Sequence, residues 1–130
     1  ITAAQSSDKD SMLIESGKVK IIYGFEELHK RDSLHQRASG LNHILCELAK
    51  KNRVAIGFSY SMLLNKKPLT AALIMGRMMQ NIKLCRKYKV NLAICNVRDK
   101  LNANAFLLSL GASTEQVAKA LTFYVKFRKL

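Results

Sequence analysis

The stretch VAIGF, residues 54–58, is apolar and rich in strand-forming residues, and a segment with helical periodicity, residues 70–89, follows it. Two more runs of the same kind, residues 19–23 and 92–95, are also followed by helical segments. The alternation of strand and helix predicts parallel strands, and apolar runs without polar alternation are typical of strands covered on both faces. The sequence therefore predicts an α/β fold.

Three segments show the apolar spacing of an amphipathic helix, with one buried stripe each. For residues 70–89, which follow Pro68 at a position suited to the first helical turn, the predicted stripe is Ile74, Met78, Ile82 and Cys85. For the helix predicted to start after Ser39 as its N-cap, the stripe is Leu41, Ile44, Leu45 and Leu48. For the last helix, which opens with capping-box spacing at residues 113–116, it is Val117, Leu121, Tyr124 and Val125.

A fourth strand is predicted at residues 1–4, and the chain is predicted to be one domain, residues 1–130, that ends in a basic tail at residues 126–130. Four strand-helix units equal half of an eight-stranded barrel, and an open half leaves strand edges unpaired. Three explanations stay open. The chain is the C-terminal part of a longer protein, or it forms a small open sheet, or another chain completes it.

The charge balance is strongly positive. The chain has 22 Lys and Arg against 9 Asp and Glu, a formal net charge of +13. A compact protein with this charge repels itself at low salt, and a polyanionic partner would relieve the repulsion. A membrane span is not predicted, because no apolar stretch approaches the roughly 20 residues that a spanning helix needs. Nucleic acid is therefore the predicted partner.

The basic residues of segment 70–89 carry the strongest functional signal, because that segment contains no Asp or Glu. Solvated helix faces normally mix both signs of charge, so the excess favours contact with phosphates. The predicted RNA-binding residues here are Arg77, Lys83, Arg86, Lys87 and Lys89. A second predicted group, for which a disordered chain end is the equal alternative, is Lys126, Arg128 and Lys129.

Catalytic and metal-binding patterns are not found in the sequence. His29, His35 and His43 lack the spacing of metal ligands, and no Walker loop, G-x-G-x-x-G or G-x-S-x-G motif occurs. The three cysteines, which are widely spaced in apolar surroundings, are predicted to be reduced core residues of a cytoplasmic protein. We therefore predict no cofactor, no metal and no catalytic residue.

Residues 37–43, RASGLNH, are a third feature. Gly40 allows close backbone approach, the N–H groups of a first helical turn can bind an anion, and Arg37 is suited to a bidentate phosphate contact. Taken alone, the pattern is better interpreted as an ordinary capped helix after a polar loop.

A longer comparison of motifs adds to this interpretation. Residues 37–45 (RASGLNHIL), 48–56 (LAKKNRVAI) and 81–90 (NIKLCRKYKV) resemble the archaeal ribonuclease P protein component 3 family. The resemblance extends from about residue 19 to residue 121 and is most specific in its first block. At Gly57 the family usually has an acidic residue, and the loop of residues 96–102 is shorter than usual.

The resemblance implies a TIM-barrel-like fold of parallel strand-helix repeats, of which this chain holds only the C-terminal part. It also implies a non-catalytic subunit that supports the catalytic ribonuclease P RNA in tRNA 5′-leader removal, in contact with precursor tRNA only indirectly. A small ferredoxin-like ribonuclease P protein subunit is the implied protein partner. The family positions of interest are Arg37, Ser39, Asn42, Arg77 and Asn81.

Two other functions remain as alternatives. The first is an enzyme, either a metal-dependent phosphoesterase on a related barrel or a free-standing nuclease. The second is a basic protein-interaction module whose charge serves solubility and does not contact RNA.

Overall fold

The computed structural model describes residues 3–7, 9–27, 40–64, 66–95 and 100–128, with the backbone alone for residues 27, 61, 62, 100 and 123–128. The described elements, in chain order, are β1 (Ala3–Gln5), α1 (Asp10–Ser16), β2 (Ile21–Tyr23), a 3₁₀ helix (Phe25–Glu27), α2 (His43–Asn52), β3 (Ala55–Ser59), a second 3₁₀ helix (Tyr60–Leu63), α3 (Pro68–Tyr88), β4 (Leu92–Cys95), α4 (Lys100–Ser109) and α5 (Thr114–Arg128).

Within these residues, four strands form one parallel sheet in the order β1-β2-β3-β4. Pairing places Ile21 opposite Ala55 and Ile56 opposite Leu92. A parallel sheet whose spatial order follows the chain order is the arrangement of a (β/α) barrel, whereas doubly wound sheets reverse direction at a switch point. The predicted α/β fold is confirmed as part of a TIM-barrel-like structure.

The two faces of the sheet differ in what they pack against. Ile22, Ile56 and Leu92 belong to the main core, together with apolar residues of the helices. The alternate strand residues, which point to the opposite face, form a separate small cluster: Ile21, Ala55, Ala93 and Cys95. The helices therefore cover one face, and the other face corresponds to the interior of a barrel.

The predictions for α3 are confirmed. Pro68 is its first residue, and its whole predicted stripe is buried in the main core. Lys83, Arg86 and Lys87 lie exposed on the other side of the helix, and Gln80 is half-buried.

The predicted start of α2 at Ser39 is wrong. The N-cap is Asn42, whose extended backbone and side-chain oxygen suit that position, because Oδ1 accepts the Leu45 N–H at 2.9 Å. Ser39 itself lies outside the described residues. Of the predicted stripe, Leu41 is buried and Leu45 and Leu48 pack half-buried against the main core, but Ile44 is 57% exposed. Cys46 and Ala49, which the prediction left out, are buried.

The capping box predicted for α5 is confirmed. The Ser113 hydroxyl accepts the Gln116 N–H at 3.2 Å, and the Gln116 side-chain oxygen accepts the Ser113 N–H at 2.9 Å. Val117 is buried and Leu121 is half-buried. The backbone of the predicted basic tail is helical as far as Arg128, where α5 ends.

All three cysteines are free thiols and buried, as predicted. The Cys46 and Cys85 thiols are hydrogen-bonded between α2 and α3, and this bond together with burial raises the pKa of Cys85 well above its ordinary value. Burial on the opposite face of the sheet raises the pKa of Cys95 to about 11.

Gly57, in β3, has little space for a side chain. A Cβ there would lie 2.9 Å from Ile21 Cγ2, which is too close for that methyl group to stay in place, and 3.0 Å from Tyr23 Cβ, which is a tight contact. We expect Gly57→Ala to lower the free energy of unfolding by about 1–3 kcal/mol through overpacking. Urea denaturation measures this loss, and an unchanged midpoint would contradict it.

Ionisation of Cys95 is expected to lower the free energy of unfolding at alkaline pH. The pKa of Cys95 rises from 9.0 to about 11 on folding. The stability that the buried, protonated thiol contributes is therefore fully present below pH 9 and is lost as the pH rises from 9 towards 11. The expected loss is at most about 3 kcal/mol, from two pKa units. Cys95→Ala removes this titration, so the stability difference between wild type and variant should change across that interval. Parallel pH slopes in the two proteins would refute the assignment.

Candidate nucleic-acid interface

The exposed side of α3 carries the predicted cationic residues Lys83, Arg86 and Lys87. The last two lie in the final turn, where positive charge is favourable beside the negative end of the helix dipole. Lys87 Nζ lies 5.5 Å from the centre of the Tyr88 ring. Lys89 follows directly in a left-handed backbone conformation; its N–H donates to the Arg86 carbonyl oxygen, and the Val90 N–H donates to the Cys85 carbonyl oxygen. These four predicted residues are therefore grouped at one end of α3 and exposed to solvent.

Arg77 and Asn81 lie on the inner side of the same helix. Arg77 is 4% exposed, and its Nη1 donates to the Glu26 carbonyl oxygen at 3.0 Å. Asn81 is fully buried, and its Nδ2 donates to Glu26 Oε2 at 2.5 Å. Glu26 is itself buried, so α3 holds a carboxylate inside the protein through the Asn81 hydrogen bond and holds the adjoining main chain through Arg77.

This buried cluster holds the first 3₁₀ helix, Phe25–Glu27, against α3. The Gly40 N–H also donates to the Phe25 carbonyl oxygen at 3.0 Å, so the backbone on both sides of residues 28–39 is anchored at one place. Arg37 and Ser39 lie in that interval, outside the described residues. Arg77 and Asn81 consequently have a supporting role in the fold, and their contact with RNA stays a prediction.

The remaining predicted residues lie in two other places. Asn42 is exposed at the start of α2, where its Oδ1 already accepts the Leu45 N–H. Lys126 and Arg128 are in α5, but their side chains are outside the described part, as is all of Lys129. The structure thus does not bring Asn42 and the α3 cations into one described cluster.

Three cations that sequence reasoning did not assign to the site lie close to Arg86 and Lys89. Lys50, Lys89 and Arg53 line one cleft, and Lys50, Arg86, Lys89 and Lys119 line a second. A signal for Lys50 and Arg53 was present in the sequence. Residues 50–54 (KKNRV) and 86–90 (RKYKV) repeat one pattern of basic residues before a valine, although no longer repeat accompanies it.

The described residues lack two kinds of feature. They contain no group of three or more His, Cys, Asp or Glu placed to hold a metal ion. None of the described helices is long and apolar enough to cross a membrane.

Comparison with known proteins identifies relatives of one kind. Ribonuclease P protein component 3 of Methanocaldococcus jannaschii is 32% identical over 111 residues, which are 76% of this chain and 48% of the relative. The protein of the same name from Methanosarcina mazei is 26% identical over 127 residues, 89% of this chain and 53% of the relative. Over the matched segment this chain is a homologue of ribonuclease P protein component 3. No family model matches it.

A solved structure extends the relationship to three dimensions. A chain of a cryo-EM structure of archaeal ribonuclease P with mature tRNA superposes with a TM-score of 0.78 at 25% sequence identity. The match covers 97% of this chain and 55% of that chain. The present chain therefore spans about half the length of the two component 3 proteins compared above, and it shares the fold of about half of the solved chain.

The buried cluster predicts separate effects for two neighbouring residues of this component 3 homologue. Asn81→Ala removes a donor from the buried Glu26 carboxylate, and we expect the free energy of unfolding to fall by about 1.5–3 kcal/mol. Lys83→Ala, on the exposed side of the same helix, should change it by less than about 0.5 kcal/mol. Denaturant titration compares them, and equal effects of the two substitutions would count against the assigned role of Asn81.

Proposed function

We propose that this protein is a non-catalytic subunit of ribonuclease P that binds and supports the catalytic RNA during removal of tRNA 5′ leaders. The observation that carries the proposal is the match to a chain of an archaeal ribonuclease P structure over 97% of this sequence. Because the chain spans about half of its relatives, the activity is proposed for the assembled particle. The proposed location of that particle is the cytoplasm.

Charge and exposure support contact with the RNA. The described chemistry suits phosphates, because Lys83, Arg86 and Lys87 project from α3 and Lys89 follows it, with no Asp or Glu in the helix. Contacts of this kind go to the RNA backbone and release condensed counterions, so they give affinity without sequence preference. Precursor tRNA is bound through the assembled particle and so contacts this chain only indirectly. Further proposed contacts, in addition to those of α3, are Arg37, Ser39, Asn42, Lys126, Arg128 and Lys129, whereas the burial of Arg77 and Asn81 favours a supporting role for these two residues.

A second surface of α3, made of exposed apolar residues, suits contact with a protein partner. The exposed apolar residues of α3 are Leu69, Leu73, Met75 and Met79, and Leu69 is 85% exposed. Apolar side chains grouped on one helix are typical of protein contacts. The proposed partner is the small ferredoxin-like ribonuclease P protein subunit. Mass analysis of the native complex tests this proposal directly, since it identifies every protein bound to the chain.

Charge reversal tests the RNA contact. Lys83→Glu combined with Lys87→Glu removes two phosphate contacts, so the slope of log K against log salt should become shallower by roughly 1.4–1.8. The affinity for ribonuclease P RNA at 0.1 M salt should fall at least about 25-fold for the same reason. A filter-binding titration at several salt concentrations measures both quantities.

Lys66→Glu combined with Lys67→Glu is the matched control. It makes the same change in net charge at the opposite end of α3, which is about 30 Å away at 1.5 Å per residue. The control should keep most of the affinity. If both double variants lose affinity equally, the net charge of the protein determines RNA binding and a specific contact by Lys83 and Lys87 is excluded. If wild-type protein binds the RNA with a shallow salt slope, the proposal as a whole fails.

The absence of independent catalysis is tested without variants. The purified protein, incubated with precursor tRNA and Mg²⁺ in RNA-free buffer, should leave the substrate intact, whereas the assembled particle should cleave it. Cleavage that survives removal of all ribonuclease P RNA would support a protein enzyme in place of an RNA-supporting subunit.

A further inference from the structure

Three consecutive helix-to-strand junctions carry cations in the same place. Residues 17–20 (GKVK) lead from α1 to β2, residues 50–54 (KKNRV) from α2 to β3, and residues 86–90 (RKYKV) from α3 to β4. Every Lys and Arg of these junctions is exposed. The valine of each junction is buried, namely Val19, Val54 and Val90. Each junction is thus anchored by its valine and turns its cations outward.

The parallel sheet places these junctions side by side. At the edge where the strands begin, the Ala55 N–H donates to the Lys20 carbonyl oxygen at 2.8 Å, and the Ile56 N–H donates to the Asn91 carbonyl oxygen at 2.9 Å. Neighbouring strands lie about 4.8 Å apart, so the junctions form a continuous row. We name residues 18–20, 50–53 and 86–91 the junction rim.

A groove follows the second and third junctions of the rim. One part, of about 480 Å³, lies between the end of α3 and the start of α5, and a second, of about 370 Å³, lies between the ends of α2 and α3. Lys50, Lys89 and Asn91 line both parts, which makes them continuous. The other cationic lining residues are Arg53, Arg86 and Lys119. Glu115, an acidic residue of the lining, is paired with Lys119 at 3.3 Å.

Helix dipoles explain some of these cations but not all. Positive charge in the last turn of a helix offsets the negative end of its dipole, which accounts for Lys50 and Arg86. Arg53 and Lys89 come after the last helical residue. Lys119 lies in the second turn of α5, near the positive end of that helix. The positive charge of the groove therefore exceeds what the helix ends require.

Arg53 and Lys89 also adopt a backbone conformation that favours glycine. Both have φ of 58°, whereas the equivalent position after α1 is Gly17, with φ of 72°. Glycine is the usual residue there, and a residue with a Cβ costs about 1–2 kcal/mol in this region. Two long cations are thus kept at strained positions, where both line the groove.

We propose that the junction rim is a docking track for the phosphate backbone of RNA, with Lys50, Arg53 and Lys89 as its main contacts. The inference rests on the proposed function, because it concerns the RNA of the same particle. Five cations against one paired carboxylate match the charge of a sugar-phosphate chain, and Asn91 adds a polar side chain. The contact holds the RNA irrespective of its sequence.

Replacement by glycine tests the track without straining the fold. Arg53→Gly combined with Lys89→Gly removes two cations while glycine suits the left-handed backbone, so the variant should be at least as stable as wild type. Loss of two phosphate contacts should weaken binding to ribonuclease P RNA roughly 25- to 60-fold at 0.1 M salt and make the salt slope shallower by about 1.4–1.8.

Lys66→Ala combined with Lys67→Ala is the matched control, because it removes the same charge at the far edge of the sheet. Its affinity should stay close to that of wild type. Lysine-specific acetylation gives a second measurement that needs no variant. Bound RNA should protect Lys50 and Lys89 and leave Lys66 and Lys67 reactive.

The outcomes separate the two proposals. If wild type binds RNA with a steep salt slope but the glycine variant binds equally well, or if Lys50 and Lys89 stay reactive in the complex, the docking track is refuted while the proposed function stands. The same holds if the variant keeps its RNA affinity but fails to join the protein subunits, since the rim then contacts a protein. If wild type does not bind the RNA, both proposals fall.

Discussion

The buried stripe of α3 determines where the charges of this protein point. Ile74, Met78 and Ile82 pack in the same core as the helix-facing residues of β3 and β4, including Ile56 and Leu92. Because one side of the 21-residue helix α3 is buried in that core, the exposed cations of α3 lie on its opposite side and at its end. The apolar contact thus orients the surface proposed to bind RNA, although it takes no part in the binding.

The polar groups that the same helix buries show a different constraint. A chain with a net charge of +13 still places Glu26 inside, where Asn81 donates to its carboxylate and Arg77 donates to its main-chain carbonyl oxygen. Burial of a carboxylate costs free energy unless such donors are present. In return, the cluster joins the first 3₁₀ helix to α3 and so anchors the backbone that flanks residues 28–39. The resemblance to component 3 therefore marks Arg77 and Asn81 as candidate RNA-binding residues, whereas the buried cluster gives them a structural role.

Parallel strands make the junction rim a consequence of the fold. In a sheet of consecutive strand-helix units, every helix ends at the edge where the next strand begins, so a short basic pattern repeated along the chain becomes a row of charge in space. Two cations on separate junctions, such as Arg53 and Lys89, are 36 positions apart in the sequence and line one cleft in the structure. A partial barrel of this kind builds an extended charged edge from local sequence signals alone.

The sequence by itself determined the alternation of strands and helices, the stripe of α3 and the capping box of α5, because periodicity and capping depend on residues within a few positions of one another. It also determined the excess of positive charge. Ser39 and Asn42 are both good N-caps, and because local propensity does not choose between them, the start of α2 could not be predicted from the sequence. Only the tertiary structure decided that Arg77 and Asn81 face inward while Lys83 faces solvent, since Asn81 meets a carboxylate 55 positions away. Burial depends on such distant partners, and no local pattern in a single sequence identifies them.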